Sequence, residues 1–71
     1  MSSAYDWVVG IEQRQPYEWL SLETFSEEGD ALAFAATWIE ARAGHRISKR
    51  TWLLAGDDKQ RQRLLVRRVP R

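Results

Sequence analysis

The sequence predicts a small α+β domain: one helix packed on a four-stranded, mainly antiparallel sheet, in the order ββαββ. Three observations carry this. Two runs of strand composition open the chain, an alanine-rich segment of helical periodicity follows, and two further strand-like runs complete it. At 71 residues the chain supports one core, so residues 1–71 are read as a single domain.

Residues 4–12, AYDWVVGIE, place Tyr5, Trp7, Val9 and Ile11 on one face and Asp6, Val8, Gly10 and Glu12 on the other, which is strand periodicity. The polar QRQP at 13–16 reads as a turn, and residues 17–25, YEWLSLETF, return as the second strand of a hairpin. In that strand Leu20 and Leu22 share a face with Glu18 and Thr24. Tyr17, Trp19, Ser21, Glu23 and Phe25 share the other.

The segment SEEGDALAFAATWIEARAG predicts a helix of roughly 15 residues. Ser26 or Asp30 is the expected cap, and Glu27, Glu28 and Asp30 complement the positive helix end. Leu32, Ala35, Ala36, Ile39 and Ala43 form the expected core stripe, widened by Phe34 and Trp38, and Gly44 is placed as the left-handed C-terminal residue. HRISKRTWLLA at 45–55 then has strand composition, GDDK at 56–59 is a turn, and QRQRLLVRRV at 60–69 reads as the last strand, ended by Pro70. In these two strands the inward register is open: Trp52 and Leu54 oppose Leu53, and Leu64 and Val66 oppose Leu65 and Val69.

Composition narrows the function classes. Apolar residues are 44% and charged residues 30%, a globular balance. No apolar run reaches the roughly 20 residues of a membrane-spanning helix, and MSSAYDW lacks the basic start of a signal peptide. Cysteine is absent, which with these features fits a cytoplasmic protein without disulfides or a thiolate metal site. One His leaves no metal cluster to assemble, and no cofactor is expected.

Catalytic signatures are also missing. The sequence has no GxxxxGK[ST], GxGxxG or HExxH motif. Asp57 and Asp58 are adjacent turn residues, His45 sits where it favours the helix C-terminus electrostatically, and Ser48 and Thr51 lack an activating base. The chain is read as a non-enzyme.

The net charge of +1 conceals a division. Residues 1–40 hold eight acids against Arg14 alone, a net −7, and residues 41–71 hold ten bases against Asp57 and Asp58, a net +8. Such asymmetry marks interaction surfaces, or else acidic and basic strands neutralise one another across the sheet.

One helix dries one face of a small sheet, so the other is left for water or a partner. If the helix packs on Trp7, Val9, Ile11, Leu20 and Leu22, then Val8 and Trp19 point away, and each later strand adds an outward apolar residue. An apolar patch with an aromatic anchor and a charged rim is the anatomy of a protein interface. The expected partner-binding residues are Glu18, Trp19, Glu23, Arg63 and Arg67. The partner is a different protein or a second copy, and no membrane is involved. A rival reading is a nucleic-acid surface built from Arg46, Lys49, Arg50, Lys59, Arg61, Arg63, Arg67 and Arg68, with Trp52 and Tyr17 for base stacking. Conversely, Glu12, Glu18, Glu23, Glu27, Glu28 and Asp30 could occupy a basic groove.

In format the chain resembles the small inhibitor proteins encoded by bacteriophages, the anti-CRISPR proteins especially. The likeness rests on a cysteine-free single domain with four expected strands around DALAFAATWIEARAG, many aromatics and no catalytic set. It implies binding to a CRISPR effector subunit, with target DNA or nuclease recruitment blocked. The near-neutral net charge departs from the acidic members of that group, and no site residue carries over.

Overall fold

A computed structural model describes residues 4–54 and 62–71. Strands β1 (Tyr5–Gln13) and β2 (Glu18–Phe25) form the expected hairpin, and helix α1 (Glu28–Glu40) follows. Then come β3 (His45–Ser48), β4 (Thr51–Leu53) and β5 (Gln62–Pro70). The sheet has five strands, in the order β2-β1-β5-β4-β3, and every neighbouring pair is antiparallel.

The expected four-stranded sheet is corrected to five because residues 45–55 do not form one strand. The chain turns at Lys49 and Arg50, so that His45 pairs with Leu53 and Ser48 with Thr51. Arg46 holds this turn, its guanidinium donating to the carbonyls of Ser48 (2.9 Å) and Lys49 (2.6 Å). The expected turn at 56–59 lies outside the described residues.

The core is built where α1 crosses the sheet. Val9, Leu64, Val66 and Trp52 from β1, β5 and β4 are buried against Ala31, Ala35 and Ile39 of the helix. Trp7, Ile11, Leu22, Phe25, Leu32, Phe34, Trp38 and Leu54 pack around them. The register left open by the sequence is thereby fixed: Trp52, Leu64 and Val66 face the helix, and Leu53, Leu65 and Val69 face away. The expected helix stripe is rotated, since Ala31 is buried and Ala36 and Ala43 are exposed.

Two local features differ from expectation. A bulge in the β1–β2 pairing sets Val9 opposite Glu23 and Gly10 opposite Ser21, leaving Leu22 extra. The bulge resets the alternation, so Leu22 and Phe25 both reach the core although strict period two puts them on opposite faces. Leu20 was expected inside but is 59% exposed. A 13-residue helix is about 20 Å long whereas a nine-residue strand spans about 30 Å, so one helix leaves part of the strand length uncovered.

The helix ends also shift. Glu27 occupies the N-cap position with no side-chain capping bond, in place of Ser26 or Asp30. At the other end Ala43, not Gly44, has the positive φ of 56°. The Gly44 N–H bonds back to the Ile39 carbonyl at 3.1 Å, closing the helix with a Schellman-type turn.

Candidate functional site

The helix-free face is lined by alternate residues of the long strands. β1 contributes Asp6, Val8, Gly10 and Glu12, and β5 contributes Arg63, Leu65, Arg67 and Val69. β4 adds Thr51 and Leu53, and Trp19 lies opposite Glu12 from β2. The face is neither uniformly polar nor uniformly apolar. It divides into an aromatic–ionic cluster over β2, β1 and β5 and an aliphatic strip over β5 and β4.

In the cluster, Trp19 lies across Gly10 so closely that a Cβ on Gly10 would sit 2.5 Å from the indole Cζ2. Only glycine leaves room for the ring at this point. The indole N–H donates to the Ser21 hydroxyl at 3.0 Å, and the Arg67 guanidinium covers the ring at 4.3 Å from its centroid. Arg67 also donates to the Tyr17 hydroxyl at 2.9 Å and lies 3.6 Å from Glu12, whose side chain is only 12% exposed. Arg14 reaches Glu12 at 3.5 Å from the turn. The cluster therefore holds Trp19 against the sheet between Gly10 and Arg67, with both Arg67 and Arg14 on Glu12.

The aliphatic strip consists of Leu53 and Leu65, half-buried, with Val69 at 39% exposed and Val8 alongside on β1. Arg63 stands at its end, in register with Glu12 on one side and Leu53 on the other. Among the described residues its guanidinium forms no hydrogen bond or ion pair, and its Nε is buried without an acceptor. Across the strip Asp6 is held by Arg71 at 2.8 Å.

Of the expected partner-binding residues, Trp19, Arg63 and Arg67 share this face. Glu18 does not, because it pairs with Gln13 on the helix side, and Glu23 sits exposed at the bulge with one carboxylate oxygen accepting from the Thr24 N–H. Glu12, expected only among the acids for a basic groove, and Tyr17, expected only for base stacking, complete the cluster. Their alternation with Trp19 and Arg67 only becomes meaningful once the strand pairing is known. Glu18 instead borders an open pocket of about 330 Å³ at the hairpin end, with Ile11, Gln13, Trp19, Leu20 and Gln62.

The bases of the nucleic-acid reading are divided between the two faces. On the helix side, Arg46 lies over Trp52 and Arg50 over Trp7, while Arg68 lies over Tyr5. Arg50 is also bonded to Glu28, which Lys49 approaches at 3.7 Å. Arg63 and Arg67 lie on the opposite face. Lys59 and Arg61 are outside the described residues. Acidic and basic segments thus neutralise one another across the fold, through Asp6–Arg71, Glu12–Arg67 and Glu28–Arg50.

Among the described residues no group of three or more His, Asp or Glu side chains could hold a metal ion, and no helix is long and apolar enough to cross a membrane. No family model matches the chain, and neither a curated protein nor a solved structure matches it.

Proposed function

We propose that this chain is a non-enzymatic protein-docking module whose working surface is the helix-free face of the sheet. The observation that carries the reading is the aliphatic strip of Leu53, Leu65, Val69 and Val8, left without a covering layer among the described residues, beside a Trp19–Arg67–Glu12 cluster tied together by its own contacts. A pre-ordered aromatic and a dry strip give an interface its anchor and its apolar centre at little ordering cost. A nucleic-acid surface is less well supported, because most of its bases are engaged by rings, carbonyls or carboxylates of the same molecule.

The resemblance in format to phage inhibitors extends the proposal: the docked partner is a subunit of a host complex such as a CRISPR effector, occluded by the bound module. Purified chain added to effector complexes in a DNA-cleavage assay tests that extension, and undiminished cleavage with every effector type sinks it.

The docking reading itself is tested by affinity capture with face-specific variants. Leu65→Asp and Leu53→Asp, verified as folded by near-ultraviolet circular dichroism, should lose the captured protein, while Leu20→Asp on the helix side should retain it. Retention by both face variants would overturn the reading.

A further inference from the structure

Resting on the docking reading, we infer that the occupant of the helix-free face is an acidic protein segment that presents a carboxylate to Arg63 between aliphatic side chains. On this face and at its hairpin turn the cations Arg14, Arg63, Arg67 and Arg71 meet the acids Asp6 and Glu12. Asp6 is taken by Arg71, and Glu12, although it is the register neighbour of Arg63, is taken by Arg67 and Arg14. Among the described residues of the face, Arg63 is the one guanidinium left without a carboxylate.

That guanidinium lies against the aliphatic strip. Arg63 is half-buried beside Leu53 and Leu65, and its Nε is shut off from solvent without an acceptor. Buried polar groups in native proteins are nearly always bonded, and an orphan of this kind calls for a specific explanation. A guanidinium has five N–H donors in a planar fork, and the Nη groups of Arg63, which are not buried, can donate charge-assisted bonds to an incoming Asp or Glu. The flanking strip of Leu53, Leu65 and Val69 then accepts the aliphatic neighbours of that acid.

The same count argues against the other occupants. On the described part of the same face a second copy brings an identical unpaired cation and no unpaired acid, so face-to-face pairing of two copies sets like charges together. A polynucleotide needs several cations spaced along its phosphates, and on the described part of this face only Arg63 is uncommitted.

The test uses the whole chain and a short synthetic peptide with one Glu between Leu and Val residues, together with its Gln and Lys counterparts. Binding is followed by nuclear magnetic resonance of the Leu53, Leu65 and Val69 methyls and the Arg63 Nε–H. The Glu peptide should shift these signals, and the Gln and Lys peptides should bind about tenfold more weakly, the equivalent of one charge-assisted hydrogen bond. Arg63→Gln, confirmed as folded by its amide spectrum, should abolish the difference, and Arg63→Lys should restore part of it.

Equal affinity for all three peptides would overturn the inference while leaving the docking reading to the capture experiment. Failure of every peptide to move these methyls would overturn it as well. So would a concentration-dependent dimer formed through them, or a single-stranded oligonucleotide that shifts the Arg63 signal more strongly than the Glu peptide.

Discussion

Ala43 adopts φ 56° at the helix end, although its neighbour Gly44 is the residue suited to that conformation. A left-handed L-residue costs about 1–2 kcal/mol, so Ala43→Gly should raise unfolding stability by about 1 kcal/mol in a urea titration. Gly44→Ala should do the reverse, because its Cβ would lie 2.5 Å from Ile39 Cδ1 and 2.6 Å from the Leu53 carbonyl oxygen. Gly10 is equally constrained, by the Trp19 ring and by the Leu20 carbonyl oxygen at 2.6 Å from a built Cβ. Gly10→Ala should therefore cost about 1–3 kcal/mol, the usual penalty of overpacking, and should blue- or red-shift Trp19 fluorescence as the ring is displaced. An unchanged denaturation midpoint for Gly10→Ala would refute the close packing of Trp19. The glycines were legible as punctuation, but their duties were not. Gly44 marked the helix end to within one residue, whereas the need for Gly10 depends on a tryptophan from the next strand.

Helix α1 begins at Glu27, whose backbone has the extended geometry of a cap (φ −122°, ψ 137°) but whose side chain makes no capping bond. A Ser at that position places a hydroxyl within reach of the orphan N–H groups of the first turn. Glu27→Ser should accordingly add about 1 kcal/mol to stability, seen as a higher urea midpoint with an unchanged slope. The same element shows why sequence reading succeeded in outline. Alternation in β1 and the acidic helix start are local signals that lie where expected, and the apolar spacing of α1 marked the helix although its buried stripe is rotated onto Ala31. The division of residues 45–55 into β3 and β4 was hidden because its turn, Lys49–Arg50, contains no Gly, Pro, Asn or Asp. That turn is held instead by the side chain of Arg46, a contact no spacing rule announces. The bulge did leave a trace. Leu22 and Phe25 stand three apart, out of phase for one strand face, and only a reset of the alternation lets both pack inward.

The molecule as a whole rests on a thin core, with Leu64 and Val9 its largest fully buried side chains. Domains of this size obtain only about 3–5 kcal/mol from one core, whereas Leu→Ala at a buried site costs about 2–5 kcal/mol. Leu64→Ala should leave a large unfolded fraction at 25 °C, visible as lost near-ultraviolet circular dichroism. A cooperative transition with a near-native midpoint would show that stability lies elsewhere. Guanidinium stacking widens the apolar layer: each of the four tryptophans carries an arginine over its ring, at 3.8 to 5.5 Å from the centroid. The charge division between the halves of the sequence was plain beforehand, but whether it marked a partner or an internal match required the strand order. Among the described residues of the helix-free face, Arg63 is the one guanidinium left without a carboxylate when the pairs are drawn. The strand order has a consequence for synthesis. Because β5 lies between β1 and β4, the amino-terminal hairpin and the β3–β4 hairpin share no backbone bond until the strand between them has left the ribosome. A nascent chain stalled before residue 62 holds two unjoined hairpins with bare edges, a target for chaperones and proteases, and assembly of the sheet awaits a late insertion into its middle.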